Sequence, residues 1–110
     1  MANNIKVIVY PVKDVEKAKA FYGKFLGTEP YVDSPYYVGY KVGDLEIGLD
    51  PNSNKGPIAY TDIADIKVSL KEMTDAGAEI VQDVKDVANG LLIAQVKDAN
   101  GNVVGFRQQP

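Results

Sequence analysis

A repeat with an offset of 51 residues constrains this 110-residue chain more than any other feature. Val7-Ile8-Val9-Tyr10-Pro11-Val12 leads into Asp14, and Ile58-Ala59-Tyr60-Thr61-Asp62-Ile63 leads into Asp65. Both runs read as strands, and both aspartates are good N-caps, because a carboxylate accepts from the N–H groups that a helix start leaves unpaired. Val15, Ala18, Tyr22, Phe25 and Leu26 then recur at helical spacing up to Gly27, and Ile66, Leu70 and Met73 up to Gly77. Short strands are expected at 31–33, 36–42 and 45–49 after the first helix, and at 79–84, 91–97 and 103–107 after the second. The unit is therefore strand, helix, three strands, used twice. Residues 52–57 are polar and turn-rich and read as the linker between a first module at about 3–51 and a second at about 58–110. The length suits one domain.

Composition removes several function classes. The net charge is -3 and the single arginine is Arg107, so no dense positive surface exists to neutralise a run of phosphates, and nucleic acid is not an expected partner. The apolar run at 5–12 is too short to span a membrane and is interrupted by Lys6. Cytoplasmic residence is the expectation. Cysteine and histidine are both absent, which excludes disulfides, redox motifs and any metal centre built on thiolate or imidazole. No Gly-rich phosphate loop, dinucleotide fingerprint or nucleophile elbow occurs.

Strand alternation assigns side chains to faces. Ile8, Tyr10 and Val12 face the first helix, and Val7, Val9 and Pro11 the opposite side. Ala59, Thr61 and Ile63 likewise back onto the second helix, leaving Ile58, Tyr60 and Asp62 opposite. A hairpin closed at Gly43-Asp44 pairs Val42 with Leu45, Lys41 with Glu46, Gly39 with Gly48 and Tyr37 with Asp50. With Leu45, Ile47 and Leu49 in the core, Tyr37, Gly39, Lys41, Glu46, Gly48 and Asp50 lie on the other face. In the last strand Val104 and Phe106 form the apolar pair, which turns Val103, Gly105 and Arg107 the other way. Tyr22, Phe21 and Phe25 on the first helix are expected to pack, one of them at a dimer interface.

The duplicated unit resembles the vicinal oxygen chelate superfamily, which includes glyoxalase I, extradiol dioxygenases and bleomycin-resistance proteins. The likeness rests on Val12-Lys13-Asp14-Val15-Glu16-Lys17-Ala18 with Phe21-Tyr22 and Leu26-Gly27, on Asp65-Ile66, on Ala76-Gly77-Ala78-Glu79, and on Asp98-Ala99-Asn100-Gly101-Asn102-Val103-Val104. It covers nearly the whole chain and implies an α+β fold: two tandem βαβββ modules forming a curved mixed sheet around a cup, helices on the outside. It also implies a homodimer. Metal-dependent members hold one divalent ion with a histidine from each module's first strand and a carboxylate from each module's last strand. By motif these positions are Val7 and Ile58, then Gly48 and Gly105, none of which carries a donor atom on its side chain. The resemblance therefore implies a member lacking the metal site, with no cofactor and no Lewis-acid chemistry.

The function this suggests is metal-independent binding of a small molecule, such as a drug or metabolite, in a cup lined by Val7, Val9, Tyr37, Gly39, Lys41, Glu46, Gly48, Ile58, Tyr60, Gly105 and Arg107. Glycines would open volume, apolar walls would desolvate a guest, and a few polar groups would orient it. Arg107 is a candidate clamp for a carboxylate or phosphate, against the plainer role of a solvated strand-end arginine. Lys41 and Glu46 are candidate orienting groups, against a plain cross-strand ion pair. Two alternatives stand beside this reading: a lyase or isomerase using no metal or an oxygen-only site of Glu46, Asp50 and Asp62, and a dimerising module with no ligand.

Overall fold

Both capping aspartates start helices. Asp14 accepts from the Lys17 N–H at 3.1 Å and opens α1 (Val15–Leu26), while Asp65 accepts from the Val68 N–H at 3.2 Å and opens α2 (Ile66–Asp75). Gly27 closes α1 in the left-handed region at φ 70°, which costs a glycine nothing. The computed structural model describes residues 3–110. The described chain divides into two units, Lys6–Ile58 and Ala59–Pro110, with residues 3–5 going with the second. The observed class is α+β, with one βαβββ module per half, as the repeat predicts.

In the first module β1 (Ile5–Pro11), β2 (Val32–Asp33), β3 (Val38–Val42) and β4 (Leu45–Asp50) lie in the order β2-β3-β4-β1. β1 runs parallel to β4, so the chain must cross over between them, and α1 is carried on that crossover. β4 is antiparallel to β3, with Lys41 opposite Glu46 and Gly39 opposite Gly48, the register that the Gly43-Asp44 turn predicts. The core is Val38, Tyr40, Ile47 and Leu49, packed by Ile8, Tyr10, Val12, Val15, Ala18, Tyr22, Leu26 and Leu45. Among them Ile8, Tyr10, Val12, Leu45, Ile47 and Leu49 are residues that alternation assigns to the helix-facing side. Each fully buried aliphatic side chain contributes about 1.5–3 kcal/mol.

The second module repeats the plan: β5 (Ile58–Asp62), β6 (Glu79–Ala88), β7 (Leu91–Lys97) and β8 (Val103–Gln108) lie in the order β5-β8-β7-β6, with β5 parallel to β8. Its core is Ile66, Leu70, Ala94, Val96 and Phe106, packed by Ile63, Ala78, Val84 and Leu92.

Several expectations need correction. β3 begins at Val38 rather than at residue 36, and Tyr37 does not join the ladder opposite Asp50. The cause is Ser34, whose hydroxyl accepts from the Tyr36 and Tyr37 N–H groups while its own N–H donates to the Tyr37 carbonyl. Those bonds satisfy the Tyr37 backbone in a turn. β6 continues to Ala88, with three register irregularities against β7, a common way to keep an outer strand from templating another chain. Phe21 and Phe25 do not pack into the core: they are 60% and 71% exposed and stack on each other, centroids 6.0 Å apart. Tyr22 alone of the three packs inward, stacking on Tyr10. Val104 is 41% exposed, so Phe106 carries the core contact of β8.

Tyr40 ties α1 to its sheet, because its buried ring carries a hydroxyl that donates to the Lys19 carbonyl at 3.1 Å. Burial holds this phenol above its ordinary value. Its contribution to stability is therefore fully present below the unfolded phenol's pKa, about 10, and is lost as the pH rises further. Tyr40→Phe is expected to cost about 0.5–1.5 kcal/mol in urea unfolding at neutral pH and to flatten the loss of stability above about pH 10. An unchanged alkaline slope would show that another group controls it.

Candidate functional site

The sheet face away from α1 carries a polar cluster in the first module. Glu46 stands on β4, beside Val7 of β1 and opposite Lys41 of β3. Its carboxylate accepts from the Tyr37 hydroxyl at 2.5 Å through one oxygen and from the Tyr31 hydroxyl through the other. Lys41 does not form the plain cross-strand pair expected of it: its ammonium lies over the Tyr31 ring, 5.1 Å from the centroid. Gly39 seats the arrangement, since a Cβ there would stand 3.2 Å from ring carbons of both Tyr31 and Tyr37 and 3.5 Å from Glu46 Oε2. Two neighbouring residues thus gather round one carboxylate because the strand between them has no side chain at that point.

Gly48 is the motif position of the first module's missing carboxylate. Its Cα side is not open volume, as the sequence reading expects, but is covered by Tyr37: an added Cβ would overlap the hydroxyl and come within 2.6 Å of Cζ. Gly105, the corresponding position in the second module, is covered in the same way by Tyr60, with Cγ 3.0 Å from an added Cβ and two further ring carbons closer still. The two solutions differ in origin. Tyr37 comes from the turn before β3, whereas Tyr60 comes from β5, directly in register with Gly105. The Tyr60 hydroxyl accepts from Gln95 Nε2 at 2.8 Å, and Gln95 pairs with Gly105 on β8's other side.

Two residues beyond Gly105, Arg107 donates to Asp62 in a fork, Nε to Oδ1 at 2.7 Å and Nη2 to Oδ2 at 3.1 Å. Gln109 reaches the same Oδ2 at 3.5 Å. Arg107 is therefore held against a partner on the adjacent strand rather than extended into solvent, and these two donors are engaged by Asp62. Register explains the pairing, because Asp62 and Arg107 are opposite each other in the parallel β5/β8 ladder.

Of the proposed lining, Tyr37, Gly39, Lys41, Glu46 and Gly48 are brought together in the first module, with Val7 and Val9 beside Glu46 and Gly48 in register. Tyr60, Gly105 and Arg107 share a neighbourhood in the second. Val7 and Ile58 are each only 2% exposed and present hydrocarbon. Sequence reasoning missed Tyr31, Gln95 and Gln109. Gln95 was within reach, since extending the hairpin register from β7 to β8 places it beside Gly105. Tyr31 had no such signal, because its position depends on the loop that leads into β2.

A divalent ion of the kind the resemblance implies does not fit these residues. Val7, Ile58, Gly48 and Gly105 offer no donor, and the glycine positions are filled by aromatic rings. The oxygen-only alternative fares no better: Glu46 is held by two phenols, Asp50 accepts from the Asn52 N–H at 2.8 Å, and Asp62 is held by Arg107. Among the described residues no three His, Cys, Asp or Glu side chains come together as a ligand set. Among the same residues no helix is long and apolar enough to cross a membrane.

Comparison with known proteins agrees with this architecture. The family sequence model described as Glyoxalase/Bleomycin resistance protein/Dioxygenase superfamily matches residues 4–106. No curated protein matches the chain. Among solved structures, a glyoxalase/bleomycin resistance protein/dioxygenase superfamily member from Vibrio splendidus 12B01 superposes with a TM-score of 0.72 at 16% identity, over 97% of this chain and 98% of that one. Methylmalonyl-CoA epimerase from Mycobacterium tuberculosis gives 0.70 at 15% identity, over 96% and 87%. The Mn(II)-bound glyoxalase from Novosphingobium aromaticivorans gives 0.74 at 17% identity, over 96% of this chain and 38% of the longer one. At such identities these likenesses establish the fold.

Proposed function

Because the chain belongs to the Glyoxalase/Bleomycin resistance protein/Dioxygenase superfamily but has no donor at the four motif positions, we propose that it binds a small molecule without metal. The observation that carries this reading is the pair of glycines, Gly48 and Gly105, each covered by a tyrosine whose hydroxyl is held by a neighbour. A carboxylate in either place would collide with the ring. What stands there instead is an aromatic ring with its hydroxyl held; Tyr60 is buried, whereas Tyr37 is half-buried and offers a guest a ring for stacking and an oriented polar edge for hydrogen bonds. Fold alone does not transfer chemistry, so the epimerase and glyoxalase among the structural neighbours do not make this chain a lyase or isomerase.

The test begins with elemental analysis of untagged protein, as purified and after exchange with magnesium, manganese, zinc and nickel, followed by a small-molecule thermal-shift screen in the presence of a chelator. The expected result is metal far below one equivalent and at least one compound that raises the melting temperature in proportion to the logarithm of its concentration. Stoichiometric metal, or turnover that disappears on chelation, would sink the proposal and restore the enzyme reading.

A further inference from the structure

We infer that the face formed by Tyr31, Tyr37 and Glu46 is a subsite for an organic cation, a quaternary or primary ammonium group that takes the place now held by Lys41. The inference rests on the small-molecule reading and names the chemistry of its ligand. Three features of the first module lead to it.

Glu46 is charged, and both of its described partners are neutral. Tyr31 and Tyr37 donate one phenolic hydrogen bond each, which orients the carboxylate without cancelling its charge. A carboxylate has about four lone-pair positions, so two phenols leave acceptor capacity for a third group. Next, Tyr31 is 53% exposed and has a cation over its ring, the Lys41 ammonium at 5.1 Å. This distance lies within the roughly 6 Å over which a ring's negative face attracts a cation. The site thus already accommodates a positive group, supplied by an exposed and flexible side chain of the protein itself. Lysine is a strongly hydrated point charge, so its return to water costs little, and a less hydrated ammonium is the better occupant. Finally, Gly39 keeps the floor low enough for both rings and the carboxylate to converge. An anion placed here would meet Glu46, and a neutral guest would gain at most a hydrogen bond from it, without the charge attraction.

Three probes of nearly equal shape separate the charge effect from stacking: choline, 3,3-dimethylbutan-1-ol and 3,3-dimethylbutanoate. Each is titrated into 15N-labelled protein, and the Gly39, Glu46 and Gly48 amide signals are followed. Choline is expected to shift these signals saturably, with the alcohol and the carboxylate weaker by about tenfold or more. Glu46→Gln, which keeps the shape and removes the charge, is expected to weaken choline about tenfold. Lys41→Met removes the internal competitor and is expected to tighten choline a few-fold. Tyr37→Phe keeps the ring and provides a second folded variant should Glu46→Gln unfold; it loses part of the orientation and binds choline more weakly than the parent. The cation assignment is overturned if choline binds no better than the alcohol, if Lys41→Met weakens it, or if no probe moves the three amides. Binding of the alcohol or the carboxylate at these amides would leave small-molecule binding intact while removing the cation. Failure of every compound in the thermal-shift screen would remove both.

Discussion

Gly105→Ala is expected to destabilise the protein by about 1–3 kcal/mol, an unusual cost for adding one methyl group to a strand where alanine is otherwise tolerated. The reason is local. The new Cβ would overlap the Tyr60 ring, Tyr60 is 7% exposed, and the ring cannot lift without losing the hydrogen bond from Gln95. The prediction is checked by a double-mutant cycle with Tyr60→Ala in urea unfolding. Tyr60→Ala alone is costly because it leaves a cavity, but with the ring gone the alanine at 105 has space. The double variant should therefore be less destabilised than the sum of the singles by about 1 kcal/mol or more. Additivity within about 0.5 kcal/mol would mean that the ring does not occupy the glycine's side of the sheet. Gly48→Ala with Tyr37→Ala is the parallel cycle in the first module, and Gly39→Ala is the milder control, since its nearest neighbours stand at 3.2 Å.

This cycle also marks the boundary between what the sequence showed and what it did not. Two aspartates, two glycine stops and one turn dipeptide were enough to locate both helices and the β3/β4 register, because caps and turns act through residues only a few positions apart. The same alternation placed Glu46, Gly48 and Gly105 on the face away from the helices. The fate of that face was not legible. A glycine in a strand signals either room or a close neighbour, and only the path of the chain before β3 shows that Tyr37 is the neighbour. The turn at Ser34 that sets this path contains hydroxyl-to-backbone bonds with no periodicity to betray them. The Lys41 and Glu46 pair failed for a related reason: cross-strand position predicts proximity, but the partner chosen depends on Tyr31, which arrives from outside both strands. The duplication has its own limit. Val9 and Tyr60 are equivalent in register, beside Gly48 and Gly105 respectively, yet only one is aromatic, so the two modules reach the same packing by different residues.

Asp62→Ala is the second large effect, expected at about 2 kcal/mol. Removing one member of a fully buried ion pair costs about 3–5 kcal/mol because the other charge is stranded. Here the side chains of Arg107 and Asp62 are 18% and 30% exposed, so water screens part of the loss. The fork geometry, with contacts of 2.7 and 3.1 Å, places the pair above an ordinary surface bridge. Replacing both partners, Asp62→Ala with Arg107→Met, should recover most of the loss, since the penalty arises from a guanidinium that has lost the Asp62 charge rather than from the missing contact. Urea unfolding of the two singles and the double decides it. The same series tests the sequence reading of Arg107 as an anion clamp. In the parent the fork is taken by Asp62, so added acetate or sulfate should leave stability on its general salt trend. In Asp62→Ala the guanidinium, no longer engaged by Asp62, should bind these anions and regain stability with saturation, whereas the double variant should not respond. If parent and Asp62→Ala respond alike, Asp62 does not control access to the guanidinium, and the second module's face is open to anionic ligands as it stands.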